Sequence, residues 1–116
     1  MLFICYPKCG TCQKAEKFLQ ANKLDYTKRD IKTANPSAGE LRSWQQASGL
    51  PLKKFFNTSG LQYKVLGLKD KLPAMTEDEQ LALLATDGML VKRPLLVEGS
   101  VVLVGFKEAD WAEKLL

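Results

Sequence analysis

Histidine is absent from this chain of 116 residues. That gap removes imidazole general acid–base chemistry, Ser–His and Cys–His nucleophile pairs, and histidine-containing zinc sites. Any nucleophile must therefore be activated by another route. Cysteine is scarce: the three residues Cys5, Cys9 and Cys12 all fall in the first twelve positions. A structural disulfide framework would spread an even number of cysteines through a secreted chain. Long apolar runs are missing too, since no window approaches the roughly 18 apolar residues of a membrane helix. The apolar start from Met1 to Tyr6 is too short for a signal peptide and lacks its basic leader. The expectation is a cytoplasmic protein with no membrane partner.

Nor is there a basic run interleaved with aromatics. The formal charge is +4, and the lysines are scattered, with small clusters at Lys53–Lys54 and Lys69–Lys71. This pattern reads as solvated faces, with no direct nucleic-acid binding expected. An anionic substrate or an acidic protein partner fits the sign of the charge. With no repeat or low-complexity linker, residues 1–116 read as one domain.

What is present is a clear order of elements. Leu2 to Tyr6, bounded by Pro7 and Gly10, reads as a buried strand. A helix follows over about 11–22, with Ala15, Phe18, Leu19 and Asn22 at helical spacing. A more polar strand runs over 24–31. Strand, helix, strand is a βαβ unit with a parallel pair. Ser37 and Glu40 form a capping box for a helix carrying Leu41 and Trp44, stopped by Gly49 and Pro51. Residues 55–60 read as a loop and 66–71 as a short helical piece. A second box, Thr76 to Glu79, opens a helix that closes by Asp87–Gly88. Pro94 to Val97 and Val101 to Val104 flank Glu98-Gly99-Ser100, a hairpin signal. A last helix over 107–116 turns Trp111 and Leu115 inward. The fold class is therefore α/β: a four-stranded mixed sheet with helices on it and a helical segment inserted over about 36–88.

The chemistry-bearing motif is Cys9-Gly10-Thr11-Cys12, placed where a strand ends and a helix begins. Unpaired backbone N–H groups and the helix dipole there stabilise an anion and so depress a thiol pKa. Lys8, with Lys14, adds positive charge. Cys9 is then the candidate attacking thiolate, and Cys12, one turn on, the resolving thiol that closes a Cys9–Cys12 disulfide. Buried cysteines without chemistry, or a three-sulfur metal site that recruits Cys5, are the alternatives for the same residues. The metal reading lacks a fourth ligand nearby and a second CxxC. Cys5 in its apolar strand reads as a core residue. Arg93-Pro94 is the second constellation. Proline suits a strand start, and it could also carry a cis peptide beside the cysteine loop, with Arg93 offering a fork to an oxyanion.

Several separated segments, in this order, resemble one family across almost the whole chain. They are Tyr6-Pro7-Lys8-Cys9-Gly10-Thr11-Cys12, Phe56 to Gly60, Leu66 to Lys71, and Lys92-Arg93-Pro94-Leu95-Leu96-Val97. The family is that of the glutaredoxin-linked arsenate reductases and Spx. The resemblance implies a thioredoxin-like fold with a helical insertion, and a cis Arg93–Pro94 bond opposite the active cysteine. It also implies Cys9 as the catalytic cysteine and Arg93 as an oxyanion-binding arginine. Lys8, Gly10, Thr11 and Pro94 are the expected substrate-binding neighbours. No bound cofactor or metal is expected. A thiol reductant, glutathione with glutaredoxin or thioredoxin, would supply electrons for a small oxidised substrate.

The sequence departs from the family pattern in three places. The reductases use three arginines, but Asn57 and Ser59 stand in the middle loop and Val104-Gly105-Phe106 ends the last strand. Each lost charge-assisted contact costs roughly 1.5–3 kcal/mol, so inefficient arsenate reduction is expected. The reductases commonly carry serine where Cys12 stands, and the second cysteine resembles the Spx branch. That branch adds a charged C-terminal extension, whereas this sequence ends at Leu116. Two readings stay open: a thiol-disulfide oxidoreductase of the reductase family, and a redox-sensing regulator whose partner is the RNA polymerase α subunit.

Overall fold

A computed structural model describes residues 1–116. Its order is β1 (Leu2–Cys5), α1 (Gly10–Ala21), β2 (Thr27–Asp30), α2 (Ala38–Ser48), α3 (Leu61–Val65), α4 (Leu68–Lys71), α5 (Glu77–Leu84), β3 (Leu95–Glu98), β4 (Val101–Val104) and α6 (Glu108–Leu115). Short 3-10 turns fill Leu52–Phe55, Leu72–Ala74 and Gly88–Leu90. The strands lie in the order β2-β1-β3-β4. β1 and β2 are parallel, and the other two neighbouring pairs are antiparallel. The mixed sheet expected from the sequence is therefore observed.

β1 and β3 are buried on both faces, which is why they read as continuous hydrophobic runs rather than as alternations, whereas the edge strand β4 buries Val102 and leaves its neighbours half-buried. Phe3, Cys5 and Leu96 point into one layer, with Ala15, Phe18 and Leu19 of α1 and Trp111 of α6. Ile4, Leu95 and Val102 point into the other, with Leu41, Trp44, Phe55, Leu81 and Leu90 of the chain between β2 and β3. Phe3, Phe18 and Phe106 each meet Trp111 edge-on or nearly so, with centroids 5.0–6.3 Å apart, a geometry that aromatic quadrupoles favour.

Both capping boxes form as read: Ser37 with Glu40 and Thr76 with Glu79. Glu40 has a second task. Its carboxylate takes both Arg29 guanidinium nitrogens, at 2.7 and 3.0 Å, and Arg29 also donates to the Ala34 carbonyl at 2.9 Å. The Arg29 guanidinium beside Glu40 holds its carboxyl well down, at about 2. The same guanidinium lies 5.9 Å from the Trp44 ring centroid. This fork pins α2 to the end of β2.

Four local expectations need correcting. β2 begins at Thr27, not Leu24. Tyr26, just before it, packs edge-on to Phe3 and donates its hydroxyl to Glu16 at 2.8 Å. Tertiary contacts with α1 thus hold it outside the ladder. Asn22 is not on the buried stripe. It is the exposed C-cap of α1, and its side-chain amide donates to the Phe18 carbonyl at 2.9 Å. The stretch 55–60 is not all loop: Phe55 ends a 3-10 turn and Phe56 bridges to Val91. Helix α3, absent from the sequence reading, follows it. It is too short, and its Leu61 and Val65 too exposed, to show a hydrophobic period.

Candidate active site at the start of α1

β1 ends at Cys5, and the chain turns through Tyr6-Pro7-Lys8. The Cys9 amide closes the turn on the Tyr6 carbonyl at 2.9 Å, and the Gln13 side-chain amide donates to the Pro7 carbonyl at 3.0 Å. Cys9 is the N-cap of α1, with extended backbone, and its carbonyl accepts the first helical bond from Gln13 at 3.0 Å. Its side chain caps nothing. The sulfur is therefore free to face the unpaired amides of the first turn, where negative charge is favoured.

All three thiols are free, and their environments differ. Cys9 is half-buried, and burial alone pushes its thiol up. The amide and thiol of Cys12, the Thr11 amide and the Arg93 guanidinium more than offset this and hold it below the ordinary thiol value. Cys12 is 2% exposed. Burial first, then the neighbouring Cys9, push it up to about 12, against the pull of the Tyr6 amide. That amide donates to the Cys12 sulfur at 3.4 Å. Cys5 is also 2% exposed and raised by burial. The neighbouring thiols therefore have opposed characters, one lowered and one raised. No group of three or more Cys, Asp or Glu is disposed to hold a metal ion.

The Arg93–Pro94 bond is cis. Pro94, just before β3, faces Gly105, whose amide donates to the Pro94 carbonyl at 2.8 Å. Proline has no N–H to return the bond, so the Gly105 carbonyl is left over. The Trp111 indole takes it at 3.0 Å. Gly105 has φ +74, and a Cβ there would press on the Lys92 chain at 3.2 Å. Glycine thus suits this position in the segment Val104-Gly105-Phe106. Arg93 is half-buried; its guanidinium lies 5.4 Å from the Tyr6 ring centroid and reaches the Met89 carbonyl at 3.5 Å. Its Nε is buried without a partner.

Cys9, Cys12, the Thr11 amide and Arg93 are thus brought together. Pro94 is buried at the strand start, next in the chain to Arg93. Gly10 is exposed with open space at its Cβ position, and Lys8 is exposed, neither it nor Lys14 being among the groups that lower Cys9. The Asn57 backbone N–H donates to the Leu90 carbonyl at 2.7 Å, and the residue belongs to the turn before α3. Tyr6 is the residue sequence reasoning missed. It supplies an amide to one cysteine and a ring to the arginine, and neither role has a residue-type signature. Replacing Arg93 by alanine is expected to raise the Cys9 pKa and slow its alkylation at neutral pH while the fold is kept. An unchanged rate-against-pH profile would contradict the role given to the guanidinium.

A cysteine pair at the mouth of the first helix of a β2-β1-β3-β4 mixed sheet defines a thioredoxin-like protein. A sequence model of the ArsC family matches residues 5–114, and the chain belongs to that family. It is 53% identical over 113 residues to the uncharacterized protein YusI of Bacillus subtilis, covering 97% of this chain and 96% of YusI. The crystal structure of an ArsC family related protein from Bacteroides fragilis superposes with a TM-score of 0.94. That protein is 59% identical, and the match covers 97% of this chain and 94% of the other. The regulatory protein MgsR of Bacillus subtilis is 26% identical over 110 residues, covering 95% of this chain and 86% of MgsR. Arsenate reductases and Spx transcriptional regulators are among the further relatives. No helix is long and apolar enough to cross a membrane.

Proposed function

We propose that the protein is a thiol-disulfide oxidoreductase whose nucleophile is Cys9 and whose resolving thiol is Cys12. The observation that carries this reading is the placement of Cys9 at the N-cap of α1, beside the amides of the first turn and Arg93, with Cys12 one turn on and buried. The Cys9 thiolate attacks one sulfur of an oxidised substrate. The new bond is a Cys9–substrate mixed disulfide, and the other substrate sulfur leaves with the electron pair and takes a proton. Burial, the main cause of the raised Cys12, remains, but forming that bond removes the Cys9 charge and sulfur acceptor that add to it. The Cys12 thiol can then ionise, its anion held by the Tyr6 amide. It attacks Cys9, expels the reduced substrate and leaves a Cys9–Cys12 disulfide, so two electrons have passed. A thiol reductant, glutathione with glutaredoxin or thioredoxin, restores the dithiol in the cytoplasm. Lys8, Gly10, Thr11 and Pro94 frame the approach of the substrate sulfur, and Arg93 favours the thiolate.

The test is Cys12→Ser. This variant is expected to attack a disulfide probe at an undiminished rate and to accumulate the mixed disulfide on Cys9, seen by mass spectrometry of the intact protein. Failure to accumulate it, or its appearance on Cys5, removes the proposed division of labour. Arsenate is expected to be a poor substrate, because a single arginine serves the site. Robust turnover at micromolar arsenate with glutathione and glutaredoxin would contradict that.

The likeness to MgsR and Spx favours a second reading, a regulator whose Cys9–Cys12 state controls binding to the RNA polymerase α subunit. Co-purification with that subunit, in one redox state and not the other, would support the regulator. Turnover of disulfide with glutathione or thioredoxin supports the enzyme.

A further inference from the structure

Away from the thiols, β4 forms the outer edge of the sheet and pairs only with β3. Glu98 and Val101 flank a two-residue turn, and the Gly105 amide bonds to Pro94. Alternation along an antiparallel pair then turns the backbone N–H and C=O groups of Val101, Leu103 and Gly105 toward β3, and those of Val102 and Val104 outward along the sheet edge. No loop or side-chain group accepts from the Val102 or Val104 amide. This edge is not flush with the surface. It forms part of the lining of a groove of about 850 Å³ between the segment after α2 and helix α6. Lys53 and Lys54 stand on one bank, Lys107 and Lys114 on the other, and Lys92 also lines it. Asp110 and Glu113 are the acidic residues of the lining, so positive charge prevails five to two.

We propose that this groove takes an extended acidic segment of a partner protein as an added strand against β4. Unpaired strand amides select a peptide backbone, the half-buried valine and leucine side chains beside them select alternate apolar residues, and the lysines select glutamate or aspartate between. A second copy of this chain would bring five lysines against five, so the same charges that admit an acidic strand reject self-pairing. The groove is separate from the chemistry proposed for Cys9 and does not depend on it.

The probe is a short synthetic peptide alternating glutamate with valine, added to the whole reduced protein. Binding is expected to weaken with salt and to shift and protect the Val102 and Val104 amide resonances. Lys53→Glu with Lys54→Glu is expected to weaken it at least tenfold. Lys64→Glu, an exposed change on α3 outside the groove, is expected to leave it within twofold. N-methylation of alternate peptide amides, which removes ladder donors, is expected to cost a further tenfold or more. The proposal is overturned if the N-methylated peptide binds as well, if a lysine–valine peptide binds equally, or if Lys64→Glu weakens binding as much as the groove variant. It is equally overturned if a single-stranded oligonucleotide of matched charge displaces the peptide at lower concentration, or if the free protein self-associates through β4.

Discussion

Cys9→Ser is expected to abolish disulfide reduction, by at least about a thousand-fold, since the nucleophile of a covalent mechanism has no substitute. A hydroxyl at the helix mouth meets the same amides and the same Arg93, but these lower a thiol below its ordinary value and leave an alcohol protonated. The wild-type protein provides the matching measurement. At neutral pH an alkylating agent is expected to modify Cys9 alone, with a rate-against-pH midpoint below that of a free thiol. The reserve is physical: Cys12 is held protonated up to about 12, and Cys5 is 2% exposed and also raised. Peptide mapping that found Cys12 or Cys5 modified first would contradict the assignment. So would a Cys9→Ser protein that still turned over.

Gly88→Ala is expected to destabilise the fold by about 3 kcal/mol, the upper range for overpacking. A Cβ on Gly88 would lie 1.9 Å from the Ile31 carbonyl oxygen and 2.7 Å from its carbon. Both are backbone atoms of the residue just past β2 and cannot rotate away. The turn carrying Gly88 must therefore back off, and with it Met89, whose carbonyl meets Arg93. Urea denaturation reads the loss. Gly39→Ala is the control: its Cβ would meet nothing nearer than the Ser37 hydroxyl at 4.0 Å. It lies in the first turn of α2, where alanine is expected to add about 0.4–1 kcal/mol. A Gly88→Ala protein within 0.5 kcal/mol of wild type, by the usual scatter of surface changes, would contradict the close approach.

Much of the architecture was legible because its signals are local. Ser37 with Glu40, Thr76 with Glu79, and the Glu98-Gly99-Ser100 turn each state their structure within a few residues. The helix start at Cys9-Gly10-Thr11-Cys12 was likewise legible, since strand, turn and helix are contiguous there. What failed depended on distant partners. Tyr26 has a strand-former's side chain, yet Phe3 and Glu16 hold it outside the ladder. Arg29 looked like one more charge on a polar strand. Its fork onto Glu40 and its stacking on Trp44 need three segments to converge. Tyr6 escaped notice because its part in the site is played by a backbone amide and by the ring placed under Arg93.

The sheet is a partition. Phe3, Cys5 and Leu96 feed the layer that holds Cys12, whereas Ile4 and Leu95 feed the layer built by the helices between β2 and β3. Side chains in opposite layers share no contact surface, so their free energies should combine independently. Trimming Leu41 together with Phe18 should cost the sum of the single losses, whereas Phe18 with Trp111, which touch, should not. The helical layer can therefore be rebuilt by mutation without disturbing the apolar packing of Cys12, provided Tyr6 and Met89, which pack against that layer and hold Arg93, keep their places. The layer of α1 and α6 has no such freedom, because its apolar side chains are also the walls of the cysteine site.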